Sequence, residues 1–211
     1  MNLFRSPKLQ NAVFFLLLVA FCCAPIWAVE YFINQYGSAH LYSSQVMLEL
    51  LRYNPKFTEI FAFNSISVPN SSGHWLMAFL LFFFSSFTVT KIMVTLTFAG
   101  LVASAGWLRL KTAGAGGLKT SFLIGAAIGF NWLWQCGFYN FLIGVCCFVL
   151  TVGLIFGWRE KMNLWRAVIL AVLFLLAYFS HIISFVILAG SIFLILLSAE
   201  KSYLKRNLVF F

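Results

Sequence analysis

Long apolar runs separated by short clusters of charge set the pattern of this chain. The first run is Ala12 to Val29, preceded by Arg5 and Lys8. A polar stretch follows from Glu30 to Gly73, and then apolar sequence from His74 to Leu108, interrupted by Lys91. A basic, glycine-rich loop from Arg109 to Lys119 leads into a run over Ser121 to Gly157. A charged segment, Arg159 to Arg166, leads into the last run, Ala167 to Ala199. Such runs can cross a bilayer, which takes about 20 apolar residues in a helix. Backbone that must bond to itself in lipid reads as helix rather than strand. The last two runs are too long for one crossing: Ala167 to Ala199 would extend about 50 Å at about 1.5 Å per residue, against a hydrocarbon core of about 30 Å. Polar residues break each near its middle, Gln135 to Asn140 in one and Ser180-His181 in the other. Each is therefore read as a helical hairpin, with a single strongly tilted helix as the competing reading of the second.

The polar stretch is far longer than the usual connection of about 4–6 residues, a length that points to function or disorder. Val46, Met47, Leu50 and Leu51 fall on one side of a helix predicted over Leu41 to Tyr53, which Asn54-Pro55 ends. An amphipathic helix followed by Trp75 and a Phe-rich segment suits the plane of the membrane surface.

Composition then narrows the class. Of 211 residues, 63% are hydrophobic and 9% charged. A soluble globule cannot hide that much apolar surface, and disorder needs far less of it. The net charge of +9 lies in clusters between apolar runs and forms no stripe, which argues against nucleic acid as a partner. Its use is to set orientation, because basic loops stay on the cytoplasmic side. If His74 to Val89 lies in the interface, the 109–119 loop, the 159–166 segment and the Lys201, Lys205 and Arg206 cluster after Ala199 all fall inside with Arg5 and Lys8. Only Arg52, Lys56 and Lys91 are then outside. Seven crossings with Arg5 and Lys8 outside satisfy the count equally well. A cleaved signal peptide competes for the first run, although Ile26-Trp27-Ala28 is a poor small-x-small cleavage site. The expected fold is an all-α polytopic membrane bundle of about six transmembrane helices in a single membrane domain, 1–211. It comprises a first span at 12–29, an exterior loop with interfacial helices at 30–90, and the second span with two hairpins at 91–199.

This topology puts His40, His74 and His181 on one face, the exterior, with Glu30, Glu49, Glu59, Asn64, Asn70, Tyr139 and Asn140. Each has a plainer reading. His74 is a satisfied interfacial side chain. His181 caps the hairpin turn, and Asn140 satisfies backbone groups freed at a turn. Glu49 and Arg52 form a surface pair. Five cysteines lack zinc spacing and are read as packing. The chain contains no aspartate, so no Ser-His-Asp grouping is available.

The stretch Tyr36-Gly37-Ser38-Ala39-His40-Leu41-Tyr42-Ser43 resembles the first-loop motif of bacterial multi-pass proteins related to the C-type glycosyltransferases, commonly Asp-Gly-Pro-Ala-His-Leu-Tyr-Asn. Val68-Pro69-Asn70 to Gly73-His74, Gly137 to Phe141, and Tyr178 to His181 are similar to that family's later motifs, in the same order. The resemblance implies a polyprenyl-phosphate-linked sugar as donor at the outer face of the bacterial inner membrane. It also implies an acidic first-loop residue acting as base or metal ligand, which makes a divalent metal ion a candidate cofactor. Residue by residue it carries over His40, His74, Asn140 and His181. Tyr36 stands where the family has its Asp, and members continue through further helices, so the chain is expected to be the N-terminal part of a longer or truncated protein.

Sugar transfer needs a base for the acceptor hydroxyl and cations or donors for the leaving phosphate. Glu30, Glu49 or Glu59 would have to replace the Asp, with His40 as base or metal ligand and Arg52 or Lys56 on the phosphate. The alternatives are a non-catalytic relative that binds lipid-linked glycan or supports a partner, and a transporter, whose signature is paired polar breaks at midplane.

Overall fold

The computed structural model describes residues 6–32, 34–64, 68–158 and 162–198. Arg5, the 159–161 segment and the basic tail after 198 lie outside the described residues. Among these there are ten helices and no strand, an all-α membrane bundle. Helix α1 (Pro7–Ala28) starts with proline in its first turn, where a missing N–H costs nothing. The polar stretch folds into α2 (Gly37–Leu51), α3 (Pro55–Thr58) and α4 (Ser72–Leu80). They are followed by α5 (Ser86–Ala113), α6 (Leu118–Gly129), α7 (Trp132–Cys136), α8 (Tyr139–Trp158), α9 (Leu164–Ser180) and α10 (Ile182–Ser198). Helices α1, α5 and α8 are long and apolar enough to cross a membrane; α6, α9 and α10 are shorter apolar helices.

These six helices pack into one bundle around α5 and α8. At one end α1 finishes beside the start of α5, where Lys91 Nζ donates to Val29 O at 2.5 Å and Trp27 Nε1 to Thr95 Oγ1 at 3.0 Å. The 130–138 connection and His181 lie at that same end, as the contacts below establish. The opposite end holds the start of α1 and the glycine-rich turn, where Arg109 Nε donates to Gly116 O at 2.7 Å. His181 reverses the chain: Leu170, early in α9, packs in one cluster with Ile192 and Ile195, late in α10. The final run is thus a hairpin and not one tilted helix.

Several boundaries differ from the expected ones. Helix α2 begins four residues before Leu41 and stops two before Tyr53, whose φ of 54° ends it. It buries Ser44 and Leu48 on one flank and Val46 and Leu50 on the other, whereas Leu51, at its last turn, is 44% exposed. Helix α4 spans only 9 residues, about 13 Å, too short for a crossing. Helix α5 starts at Ser86, not Lys91, because the Ser85 hydroxyl accepts from Thr88 N–H and caps it. The first hairpin also breaks earlier than its glycine at 137. Asn131 takes the Trp134 N–H at 2.9 Å and starts α7 afresh, so α6 ends at Gly129. Gly137, at φ 81°, then closes α7 in a conformation glycine adopts without strain.

The principal core lies where α5 meets α1, α6 and α8. Met93, Val94, Phe98 and Val102 of α5 are fully buried. Trp134 meets Phe98 at a tilt and Phe130 edge-on, and donates its indole N–H to Val94 O at 3.0 Å. The five cysteines are free, and Cys23, Cys136 and Cys147 are buried.

Candidate functional site

The long polar stretch is moored to the ends of α7, α8 and α9. Tyr36 N–H donates to Cys136 O at 2.8 Å, just before α2 starts. Ser71 N–H donates to Phe179 O at 2.7 Å, and Ser72 Oγ donates to Ser180 Oγ at 2.8 Å. Between these moorings Asn140, at the start of α8, clamps the entry to α4. Its Oδ1 accepts from Gly73 N–H at 2.6 Å and its Nδ2 donates to Asn70 O at 2.8 Å. A Cβ on Gly73 would lie 2.6 Å from Asn140 Oδ1, so only glycine permits this approach.

That clamp sets the histidines. His74 lies in the first turn of α4, and its Nδ1 sits 3.1 Å from Asn70 O. A carbonyl only accepts, so His74 Nδ1 carries the proton and His74 Nε2 is an acceptor. His40, on the first turn of α2, places Nδ1 2.8 Å from His74 Nε2. His40 Nδ1–H is therefore the donor, and His40 Nε2 keeps its lone pair. This tautomer assignment follows from the bonding partners alone. The two rings meet edge to face at 4.8 Å, and Tyr139 lies 5.8 Å from His40. Burial, reinforced by the neighbouring His74, pushes the His40 imidazole down from 6.5 to about 4. Burial also lowers His74, opposed by its bond to Asn70.

A neutral pair gives a signed prediction. The unfolded state takes up protons below about pH 6.5, whereas folded His40 resists them until about pH 4 and burial holds His74 below its ordinary value too. The stability it contributes is full above pH 6.5 and declines as pH falls through that window. A proton on His74 Nε2 would face the His40 N–H and break the bond. The charge-bearing or titratable neighbour is Tyr139, with Asn70 O and Asn140 completing the surroundings. Thermal melts should drop between pH 6.5 and 4, with a flatter profile in His74→Gln; equal profiles would refute the assignment.

The other candidates are placed apart. His181 is a cap: its Nδ1 accepts from Ile183 N–H at 3.3 Å and its ring meets Phe141 edge-on at 5.2 Å. Glu49 binds Arg52 at 3.0 Å and Asn54 at 2.7 Å; the Asn54 bond chiefly lowers its carboxyl. Counted along α2, Glu49 is about 13 Å from His40 at about 1.5 Å per residue. Glu30, Glu59 and Lys56 are exposed. Arg52 stands 5.4 Å over Phe82, in a patch of exposed Phe79, Phe82, Phe83 and Phe84, with Trp75 stacked on Phe63 at 5.9 Å. Tyr36 packs its ring on Phe138 at 4.6 Å.

A metal ion does not fit the pair. His40 Nδ1, His74 Nε2 and His74 Nδ1 are engaged, which leaves one nitrogen. Among the described residues no group of three or more His, Cys, Asp or Glu could hold a metal. Sequence reasoning missed Asn34, buried beneath the site with Nδ2 donating to Tyr139 OH at 2.9 Å. A Cβ on Gly37 would collide with its Oδ1. No motif marks Asn34; the one signal is Gly37, which tolerates the approach. No family model, no curated protein and no solved structure matches this chain.

Proposed function

We propose that the chain is a glycosyltransferase-like, six-crossing protein of the bacterial inner membrane. In this reading it binds a polyprenyl-phosphate-linked sugar at the outer face. The observation that carries it is the His40–His74 pair, held by Asn140 with one free nitrogen, His40 Nε2. A bare imidazole nitrogen accepts a hydrogen bond from a sugar hydroxyl. Arg52 among exposed phenylalanines offers a cation beside greasy surface, the combination a phosphate on an isoprenoid tail requires. The basic clusters favour this end as the outer one in this reading. Binding is favoured over transfer on two grounds. The Glu49 carboxylate is spent on Arg52 and Asn54, and an imidazole held near 4 is a weak base at neutral pH. A transporter is disfavoured because the polar breaks gather at one end of the bundle instead of its middle.

The test is photo-crosslinking of a diazirine-bearing polyprenyl-phosphate sugar to the full chain in nanodiscs. His40→Gln should lower the yield about fivefold, the worth of one hydrogen bond. Arg52→Gln should lower it by a similar factor. Unchanged yields in both would remove the site. Release of free polyprenyl phosphate on adding acceptor would replace binding by transfer.

A further inference from the structure

A groove of about 270 Å³ runs along the opposite end of the bundle, between α1 and the start of α6. Leu9, Gln10, Val13, Phe14 and Leu17 line it from α1, and Lys119 lines it from α6. Leu9, Val13 and Leu17 recur every four residues and make one apolar stripe over two turns. The Lys119 ammonium stands 5.7 Å over the Phe14 ring. Leu17 is 65% exposed, so the described chain leaves the stripe open to whatever solvates the helices.

The occupant has to satisfy an apolar stripe and a cation together. A second copy of this chain would bury Lys119 against a membrane helix, where an unpaired charge is costly. It could supply no membrane-helix carboxylate in return: the five acidic residues are Glu30, Glu49, Glu59, Glu160 and Glu200, and none falls in α1, α5, α6, α8, α9 or α10. The two segments that line the groove add only positive charge. Neither Pro7–Leu17 nor the 109–119 segment contains an acid, while Lys8, Arg109 and Lys111 lie within them. A zwitterionic lipid would fill the stripe but bring no net charge. We propose that this groove is a binding site for one anionic phospholipid, its acyl chain along Leu9, Val13 and Leu17 and its phosphate at Lys119.

Native mass spectrometry of the full chain, released from nanodiscs of mixed phosphatidylglycerol and phosphatidylcholine, tests this. One retained phosphatidylglycerol is expected, about fivefold over phosphatidylcholine, the worth of one lysine at a membrane surface. Lys119→Gln, at an exposed position, should bring the two lipids to parity. Val13→Trp should fill the groove and abolish retention of either. Equal retention by the unmodified chain would overturn the proposal, as would an unchanged preference in Lys119→Gln. Efficient crosslinking between copies carrying Val13→Cys would assign the groove to a dimer instead.

Discussion

Asn140→Ala is expected to release the entry of α4 from α8 and lower the melting temperature by about 5–15 °C. Asn140 is 2% exposed and serves both partners of the 70–73 turn. Its loss strands the buried Gly73 N–H, which costs about 1–3 kcal/mol, and removes one donor to Asn70 O, about 1 kcal/mol more. Asn70 O keeps the His74 bond, so the second loss is the smaller. A domain of this size loses about 2–4 °C per kcal/mol. Asn140→Asp should restore much of the difference, since a carboxylate still accepts from Gly73 N–H. It should also raise the His74 proton affinity, because Asn140 Nδ2 lies 3.5 Å from His74 Nδ1. Scanning fluorimetry and imidazole NMR read both effects. A melt for Asn140→Ala within about 2 °C of the parent would show that the turn is held by something else.

Gly125→Leu should be the most damaging change away from the site. A Cβ at Gly125 would lie 2.8 Å from Ala105 Cβ and 3.0 Å from Val102 Cα. Backbone cannot yield as a side-chain tip can, so a leucine must push α6 off α5. Membrane helices associate through close approach at small residues, with no hydrophobic drive to compensate a gap. The same interface seats Phe122 where a Cβ on Gly106 would be, 2.1 Å from its ring. Parting the helices therefore also empties the Phe122 pocket. Overpacking of a well-fitted interface costs about 1–3 kcal/mol or more; with both losses, most of the protein should fail to elute as a monodisperse species. Gly125→Ala should be milder. Normal elution and melting of Gly125→Leu would contradict the packing.

The bundle was legible wherever one local rule decided the outcome. Apolar runs longer than a bilayer, with polar residues midway, marked the reversals at 135–140 and 180–181. Break points inside an apolar run were less visible: Asn131 is a lone polar residue, and its role depends on its bond to Trp134 N–H. The site was legible as a list and not as an arrangement. His40 and His74 were expected on one face, but nothing in the chain says that their nitrogens meet. Helix α2 buries two flanks because it is packed at the bundle's end, which amphipathic periodicity does not convey. Glu49 shows the converse: a carboxylate in the same helix stands about 2.5 turns from the histidine it was to assist. Asn34 had no local mark, since its partner Tyr139 is 105 positions away.

The moorings of Ser71 and Ser72 to Phe179 and Ser180 impose an order on biosynthesis. The bond between Ser72 and Ser180 joins positions 108 apart, which at about 5–20 residues per second separates their synthesis by about 5–20 s. During that interval the nascent segment has crossed or reached the bilayer with its future partners still unmade. It must wait there, with Ser71 and Ser72 lacking their partners, for a hairpin inserted last. A ribosome stalled before residue 179 would leave this segment open to proteases, and a nascent chain long enough for residues 179–181 to leave the ribosome and insert would close it.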